Sequence, residues 1–301
     1  MVDDNDKAIA GTTVPVDKKI RIEDHPSSWK DIDDLKLGGL RLTKENANQI
    51  LEESRASLEK AQELLWAEDS HSLLIILQGM DAAGKDSIIE HVMSGVNPQG
   101  CEVTNFKVPS EKELNHDFMW RCYQSLPERG KIGIFNRSYY EEVLVVRVHP
   151  ELLQKQKLPG IKDLDKLWEK RYESINDIER HLVRNGTIVL KFFLNESRGE
   201  QKERFLARLN DPEKLWKFNP ADVGERDHWD SYMAAYEDML RATNTKAAPW
   251  YIIPADQKWL SRALIATIIT QTIESLDIHY PKPSEEMMKE LEQAKKKLMK
   301  E

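Results

Sequence analysis

A glycine-rich loop stands between the pattern of a buried strand and the pattern of an apolar helix, and few folds accommodate that order. The strand pattern is Leu73-Leu-Ile-Ile-Leu77, the loop is Gly79-Met-Asp-Ala-Ala-Gly84-Lys85-Asp86-Ser87, and the helical pattern is Ile88-Ile-Glu-His-Val-Met93. A short continuous run of branched aliphatic residues is typical of a parallel strand buried on both faces. Together the three parts match the strand, GxxxxGK motif and helix of a phosphate-binding loop, or P-loop.

In such a loop the glycines let the backbone curl so that N–H groups face phosphate oxygens. The lysine and the N-terminus of the following helix add positive charge. We therefore expect Lys85 to be a catalytic residue. The residues expected to contact substrate phosphate are Gly79, Ala82, Ala83, Gly84 and Ser87.

Two aspartates make this loop unusual. The position after the lysine normally holds a Ser or Thr that binds Mg²⁺, but here it is Asp86, and Asp81 lies within the loop. A carboxylate that faces a phosphate is repelled unless a cation lies between them, and Mg²⁺ prefers oxygen ligands. The sequence thus predicts that Asp81 and Asp86 are catalytic and hold Mg²⁺, which Mn²⁺ would be able to replace. Alternatively, Asp86 only stabilises the first helical turn through the helix dipole.

Strand and helix patterns alternate along the chain. Further apolar runs lie at residues 132–135, 188–194 and 250–254; helical patterns run from Thr43 to about Trp66, over 164–184 and over 260–276. This order predicts an α/β fold of P-loop kinase type, a parallel sheet with helices on both faces. We divide the chain into an extended N-terminal arm with little structure of its own (1–42), one phosphotransferase domain (43–280) and a charged C-terminal tail that forms a solvated helix (281–301).

A second group of polar residues follows the next predicted strand. The segment Lys131-Ile-Gly-Ile-Phe135-Asn136-Arg137-Ser138 places Arg137 just past the carboxyl end of that strand, where ligands bind in open α/β sheets. We expect Arg137 to be catalytic and to neutralise the oxygens of a phosphoryl group during transfer. The alternative is a structural ion pair with Glu141 or Glu142.

The segment between the third and fourth predicted strands begins with several cations at helical spacing. Arg204 and Arg208 are four residues apart, as are Arg198 and Lys202, so each pair lies along one face of a helix. Basic helices at this place act as lids in small P-loop kinases and exclude water from the reaction. We expect a helical lid over about residues 197–230, although an exposed charged helix without a ligand explains the same pattern.

Charge and composition exclude several classes of protein. The 301 residues carry a formal net charge of −8, which argues against general binding to nucleic acid or to a membrane surface. The cysteines, Cys101 and Cys122, form no metal-binding or CxxC pattern and are expected to be small buried residues. The N-terminus is acidic without an apolar stretch, and the longest apolar run, near residues 263–269, is too short for a membrane span. We expect a cytoplasmic protein.

The motifs in combination resemble one known family. Gly79-x-Asp-x-Ala-Gly-Lys-Asp86, Phe135-Asn-Arg-Ser-x-Tyr-Glu-Glu142, Gln201-x-x-Arg204-Phe and Trp216-Lys217-x-x-x-x-Asp222 occur in order and resemble the polyphosphate kinase type 2 family over about residues 29–276. The segments Tyr140-Glu-Glu-Val-Leu-Val-Val-Arg-Val-His149 and Pro109-Ser-x-x-x-Leu-Asn-His116-Asp-Phe118 look most like its class III branch.

The resemblance implies reversible transfer of phosphate from inorganic polyphosphate to AMP and ADP. We expect Mg²⁺-assisted in-line transfer without a covalent enzyme intermediate, because the nucleotide phosphate is itself the nucleophile. The resemblance makes Asp81, Lys85, Asp86 and Arg137 the catalytic residues, and Arg204, Arg208 and Lys217 lid contacts to substrate. Other branches have Asp where this chain has Asn136, so the resemblance shifts metal binding to Asp81, with Glu142 as a further candidate ligand. The implied partners are polyphosphate, the adenine nucleotides AMP, ADP and ATP, guanine nucleotides as further acceptors, and other copies of the chain in a homo-oligomer.

Two other functions fit the same motifs. An ATP-dependent nucleoside monophosphate kinase of thymidylate-kinase type would share the fold, the loop and the lid, but would require ATP and ignore polyphosphate. A nucleotide-sensing switch or polyphosphate-binding module would bind ligand without turnover. The choice of polyphosphate as donor depends on the resemblance alone, and no base pocket is identifiable from the sequence.

Overall fold

A computed structural model describes residues 7–16, 20–30, 35–160 and 163–301. The strands are β1 (Lys36–Leu37), β2 (Leu40–Arg41), β3 (Ser72–Gly79), β4 (Cys101–Asn105), β5 (Ile132–Asn136), β6 (Thr187–Asn195) and β7 (Trp250–Pro254). The α-helices are α1 (Lys7–Thr12), α2 (Lys44–Glu68), α3 (Lys85–Val92), α4 (Glu111–Leu114), α5 (Trp120–Tyr123), α6 (Val145–Val148), α7 (Leu164–Arg184), α8 (Arg198–Leu209), α9 (Ala221–Glu225), α10 (Trp229–Thr243), α11 (Lys258–Glu274) and α12 (Glu285–Leu298). Short 3₁₀ turns lie at Ile22–Asp24, Pro98–Gly100, Tyr139–Val143, Pro150–Gln156, Leu215–Lys217 and Arg226–His228.

The centre of the fold is a five-stranded parallel sheet in the order β4-β5-β3-β6-β7. Every residue of β3 is buried, as its unbroken aliphatic run requires. Helices α2, α3 and α11 share one apolar core with one face of the sheet, and α7 and α10 share another core with the opposite face. The predicted α/β fold with helices on both faces is therefore confirmed.

The predicted strands and long helices are present. Helix α2 begins where Thr43 accepts a hydrogen bond from the N–H of Asn46 at 3.2 Å, and it reaches Glu68. Strand β4 was not predicted from the sequence. It lies at the edge of the sheet and leaves Glu102 and Val103 exposed, so it has no continuous apolar run to mark it.

The N-terminal arm is more structured than expected. Over its described residues it forms α1 and the β1–β2 hairpin, and Val14 donates its N–H to the carbonyl of Trp250 at 3.1 Å. Ala8, Leu37 and Leu42 are buried against the domain. The arm thus gains its order from tertiary burial rather than from local preference. The parts at residues 1–6, 17–19 and 31–34 lie outside the described residues.

A buried ionic network joins the sheet to the helices on one face. Lys191, in the middle of β6, is fully buried, and its Nζ donates to Glu179 Oε2 at 2.6 Å and to the carbonyl of Thr243 at 2.7 Å. Glu179 Oε1 accepts from the hydroxyls of Tyr139 and Tyr140 at 2.9 and 2.7 Å. This network anchors the turn that follows Arg137. Among the described helices, none is long and apolar enough to cross a membrane.

Candidate active site

The phosphate-binding loop connects β3 to α3 in a tightly curled backbone. Gly84 has φ of 105°, a conformation that a side chain disfavours. At Gly79 a Cβ atom would lie 3.0 Å from the carbonyl oxygen of Leu194, so a side chain there would crowd β6. Lys85 is buried, and its Nζ donates to the carbonyls of Gly79 at 2.7 Å and Met80 at 3.0 Å. Burial lowers the pKa of this lysine, and the nearby Arg137 lowers it further.

Parallel strands bring the predicted residues to one edge of the sheet. Leu77 of β3 is in register with Asn136 of β5, and Gly79 is in register with Leu194 of β6. The loop after β3 therefore lies beside the residue that follows β5, which is Arg137. This arrangement is the one that the sequence predicted.

Arg137 bonds to a loop carboxylate and to a carboxylate of its own turn. Its guanidinium donates to Asp81 Oδ1 and, at 3.1 Å, to Glu141 Oε2. Glu141 raises the pKa of Arg137 most, and Asp81 adds to the effect. The backbone of Arg137 has φ of 63°, a sparsely populated conformation that is often found at functional sites. The ion pair with Glu141 considered from the sequence is present, together with the contact to the phosphate-binding loop.

Asp86 and Asn136 are in direct contact. The Nδ2 of Asn136 donates to Asp86 Oδ1 at 2.6 Å and to Asn105 Oδ1 at 2.7 Å. Asp86 therefore points toward the ends of β4 and β5. Among the described residues no group of three or more His, Cys, Asp or Glu side chains could hold a metal ion. Two carboxylates with the remaining positions left to phosphate and water suit Mg²⁺, which usually keeps several waters and binds substrate phosphates.

Glu142 occupies a different environment from the one expected for a metal ligand. It is buried; its Oε2 accepts from Gln156 Nε2 at 2.8 Å and its Oε1 lies 3.1 Å from Arg171 Nε. Burial raises the pKa of this carboxyl. Arg171 and Gln156 engage the Glu142 carboxylate, so the described structure does not support Glu142 as a ligand to a metal held by Asp81 or Asp86.

Arg204 of α8 holds the phosphate-binding loop in place through buried hydrogen bonds. It is only 7 % exposed, and its guanidinium donates to the carbonyls of Ala82 at 2.9 Å and Ala255 at 2.6 Å and to Glu200 Oε1 at 2.8 Å. It also lies 3.4 Å from Glu196 Oε2. From the same helix, Gln201 donates to the carbonyl of Asp81 at 2.9 Å. The expected lid contact of Arg204 with substrate is thus replaced in this structure by contacts with the protein, because α8 packs directly against the loop.

The other two predicted lid contacts, Arg208 and Lys217, are accessible. Arg208 is half-buried and its guanidinium lies 5.8 Å from the centre of the Phe205 ring. Lys217 is exposed and its Nζ lies 5.0 Å from the ring of Trp216, itself 78 % exposed. The structure therefore leaves both side chains available to a ligand.

Two cations of α11 join this region and were not singled out from the sequence. Arg262 donates to the hydroxyl of Ser87 at 2.7 Å. Burial lowers the pKa of Lys258, and its positive neighbours Arg204, Arg262 and Arg208 lower it further. The helical pattern of this segment is mainly apolar, so the spacing of four between Lys258 and Arg262 at the start of the helix was the only available signal.

A cavity of about 480 Å³ opens beside Arg137 on the side of β4 and β5. Its apolar wall includes Phe106, Phe118, Val145 and Leu152. Its charged residues are Lys107, Glu113, Asp117, Arg121, Arg137, Glu141, Glu142 and Lys155. A cavity of this size with an apolar wall and a few polar groups is typical of a small-molecule site.

Arg137 and Glu141 also line a second, small cavity of about 30 Å³ together with Asp81. Glu225 and Tyr232 close this space from the lid side, where the Tyr232 hydroxyl donates to Glu225 Oε2 at 2.8 Å. Arg137 therefore lies between the larger cavity and the phosphate-binding loop.

Comparison with known proteins gives consistent matches. The polyphosphate kinase 2 family matches residues 41–281. An ADP-polyphosphate phosphotransferase of Rhodopseudomonas palustris is 51 % identical over 259 residues, which cover 86 % of this chain and 90 % of the relative. An AMP/ADP-polyphosphate phosphotransferase of Meiothermus ruber is 46 % identical over 240 residues, covering 80 % and 86 %. The crystal structure of polyphosphate kinase 2 from Arthrobacter aurescens TC1 superposes with a TM-score of 0.81 at 34 % identity and covers 96 % of each chain.

Proposed function

Since this chain belongs to the polyphosphate kinase 2 family, we propose that it transfers phosphate between inorganic polyphosphate and the adenine nucleotides AMP and ADP. The observation that carries this proposal is the position of Arg137, which borders both the phosphate-binding loop and the cavity of about 480 Å³. A donor phosphate on the loop and an acceptor nucleotide in the cavity would meet at this residue. The family assignment does not favour the alternative of an ATP-dependent kinase of thymidylate-kinase type.

The chemistry requires positioning and neutralisation of charge. An oxygen of the acceptor's terminal phosphate attacks the end phosphorus of polyphosphate, the P–O bond to the next unit breaks, and the shortened chain leaves with the bonding electron pair. Lys85 and the backbone N–H groups of the loop neutralise the donor oxygens. Arg137 stabilises the negative charge on the group in transfer, and Glu141 holds its guanidinium in place.

Asp81 and Asp86 would hold a divalent cation, Mg²⁺ or Mn²⁺, against the phosphates. Bound there, the cation would neutralise phosphate oxygens that the carboxylates otherwise repel. Asp81 is also the ion-pair partner of Arg137, so the same carboxylate orients the arginine. Asn136 contributes by orienting Asp86 through its amide.

The acceptor nucleotide fits the cavity by its chemistry. The base would contact the apolar wall at Phe106 and Phe118, and the phosphates would extend toward Arg137 past the cations of the cavity. Lys155 is exposed at this site and is therefore available to a phosphate group. An apolar wall does not by itself distinguish adenine from guanine, so guanine nucleotides stay a prediction as further acceptors.

The donor chain needs cations that protein carboxylates and carbonyls do not already engage. Arg204 does not meet this need, because protein carbonyls and Glu200 engage its guanidinium. Arg208 lies on α8, and Lys258 and Arg262 lie on α11. Arg262 donates to Ser87 of the loop, and Lys258 has Arg204, Arg208 and Arg262 as positive neighbours. We infer that polyphosphate extends from the loop along these three residues, with Lys217 as an outer contact.

A direct assay tests the overall reaction. The purified protein with Mg²⁺ is incubated with polyphosphate and AMP, ADP, GMP or GDP, and products are separated by chromatography, with Lys85→Met as the inactive control. We expect ADP and ATP to form from AMP and ADP without added ATP. A requirement for ATP with no use of polyphosphate would favour the nucleoside monophosphate kinase, and binding without turnover would favour the sensing module.

Single substitutions separate the two substrate sites. Lys258→Met should raise the KM for polyphosphate about tenfold and reduce its dependence on salt, because fewer counterions are released on binding. Lys155→Met should instead raise the KM for the nucleotide. Lys60→Met, on the exposed surface of α2, makes the same change in charge and should alter neither value. Equal effects of the first two variants on both substrates would contradict separate sites.

A further inference from the structure

Helix α12 is not packed against the domain. Every residue from 281 to 301 is exposed, so within the described chain nothing buries this helix. Its first turn is capped by Ser284, whose hydroxyl accepts from the N–H of Met287 at 3.2 Å. A helix of 14 residues is only marginally stable alone in water, because nucleation is costly. A partner that covers part of its surface would therefore stabilise it.

One face of α12 carries an apolar stripe. Met287, Leu291, Ala294 and Leu298 follow one another at intervals of four, three and four residues. This is the spacing of the core positions in a coiled coil, where a second helix covers the stripe. The side chains of Met287, Leu291 and Leu298 are 47 %, 49 % and 70 % exposed, respectively. The stripe is thus an apolar surface of the kind that another helix buries.

The charges of α12 are divided between its two halves. The first half contains Glu285, Glu286, Glu290 and Glu292 with one lysine, Lys289; the region from residue 295 onward contains Lys295, Lys296, Lys297 and Lys300. An antiparallel copy of the same helix would place the acidic half of each chain beside the basic half of the other. A parallel copy would place like charges side by side over most of the length. Antiparallel helix dipoles also attract each other.

We propose that α12 pairs in antiparallel orientation with α12 of a second copy of this chain. In the register that aligns the stripes, Leu291 packs on the partner subunit's Ala294 and Met287 packs on the partner subunit's Leu298. Glu290 and Lys297 border the same side of the stripe, so Glu290 lies beside the partner subunit's Lys297. The pairing provides a contact surface for the homo-oligomer expected from the sequence, and it is independent of the proposed reaction.

The composition of α12 favours another protein helix over other occupants. Helices that bind anionic membranes usually carry Trp or Phe on the apolar face and lysines on the polar face. This helix has neither aromatic residue, and its polar face is half acidic. The same glutamates would repel polyphosphate from the neighbouring lysines. Lipid and polyphosphate are therefore alternative outcomes of the experiment.

Charge reversal in the full-length protein tests the pairing. Sedimentation velocity over a concentration series should show that Glu290→Lys and Lys297→Glu each weaken self-association about tenfold, because each places like charges together at both symmetric contacts. The double variant should restore association. Glu292→Lys makes the same charge change on the opposite side of the helix and should have no effect. Unchanged association in both single variants would overturn the proposal.

Disulfide trapping tests the orientation. In a Cys101→Ser background, Leu291→Cys and Ala294→Cys are oxidised separately and as a mixture. The antiparallel register predicts a cross-linked dimer in the mixture and little in either variant alone. Efficient cross-linking of one variant with itself would contradict the register. Loss of binding to phosphatidylglycerol vesicles or to polyphosphate on removal of 285–301, with self-association intact, would assign the helix to those ligands and overturn the proposal.

Discussion

Arg204 of α8 either supports the phosphate-binding loop as part of the structure or contacts polyphosphate as part of a lid. The variant Arg204→Met distinguishes these two roles. The side chain is 7 % exposed, donates to the carbonyls of Ala82 and Ala255, forms an ion pair with Glu200 and lies 3.4 Å from Glu196 Oε2. Methionine fills a similar space but makes none of these contacts. The variant therefore leaves two carbonyls and a buried carboxyl without their donor.

The size of the effect follows from this environment. A buried acceptor left without its donor costs about 1–3 kcal/mol, so the carbonyls of Ala82 and Ala255 together account for about 2–6 kcal/mol. For a chain of 301 residues the entropy of unfolding is about 0.6 kcal/mol/K, so the Tm should fall by about 3–10 °C. The kcat should fall as well, since Ala82 is part of the phosphate-binding loop and loses its anchor. Arg204→Lys keeps the charge but not the forked guanidinium, so its Tm and kcat should lie between those of the wild type and of Arg204→Met.

Thermal unfolding followed by circular dichroism measures the Tm, and initial rates at varied polyphosphate measure kcat and KM. Arg208→Met is the matched control, because Arg208 is on the same helix but accessible. We expect it to keep the wild-type Tm and to raise only the KM for polyphosphate. A wild-type Tm in Arg204→Met, combined with a raised polyphosphate KM, would refute the structural role and return Arg204 to the lid.

Three further predictions concern the metal, a buried carboxyl and the core. Asp81→Asn should shift activation to a higher Mg²⁺ concentration, because a neutral amide attracts the ion less than a carboxylate. Initial rates at varied free Mg²⁺ measure the midpoint of activation. An unchanged midpoint would place the metal elsewhere. Burial raises the pKa of Glu196 from 4.5 to about 8, so its protonated form stabilises the fold at low pH and this stability is lost as the pH rises through about 8. Glu196→Gln should remove that loss, which thermal melts from pH 5 to 9 measure. Parallel curves of Tm against pH for the two proteins would contradict this prediction. Lys191→Met should lower the free energy of unfolding in urea by about 3–5 kcal/mol, because Glu179 stays buried without its cation. Adding Glu179→Gln should recover part of this loss. If the effects of the two substitutions on the free energy of unfolding simply add, the two residues are not coupled.

The sequence by itself determined the phosphate-binding loop and four of the five strands of the parallel sheet. The aliphatic run before Gly79 and the GxxxxGK motif are contiguous, so local spacing and burial preference suffice to predict a strand, a phosphate-binding loop and a helix there. The order of strands and helices then predicted a parallel sheet, and this brought Arg137 to the loop, because carboxyl ends of parallel strands share one edge. Strand β4 was missed, since an exposed edge strand has no unbroken apolar run.

Only the tertiary structure decided which charged residues face a ligand. Arg204 and Arg208 have the same charge and lie one helical turn apart, yet the packing of α8 on the loop buries the first and leaves the second accessible. From its place in the motif, Glu142 was a candidate metal ligand. In the structure Arg171 of α7 engages its carboxylate instead. Such partners come from segments far apart in the chain. Their approach depends on how whole elements pack, which local sequence patterns do not encode.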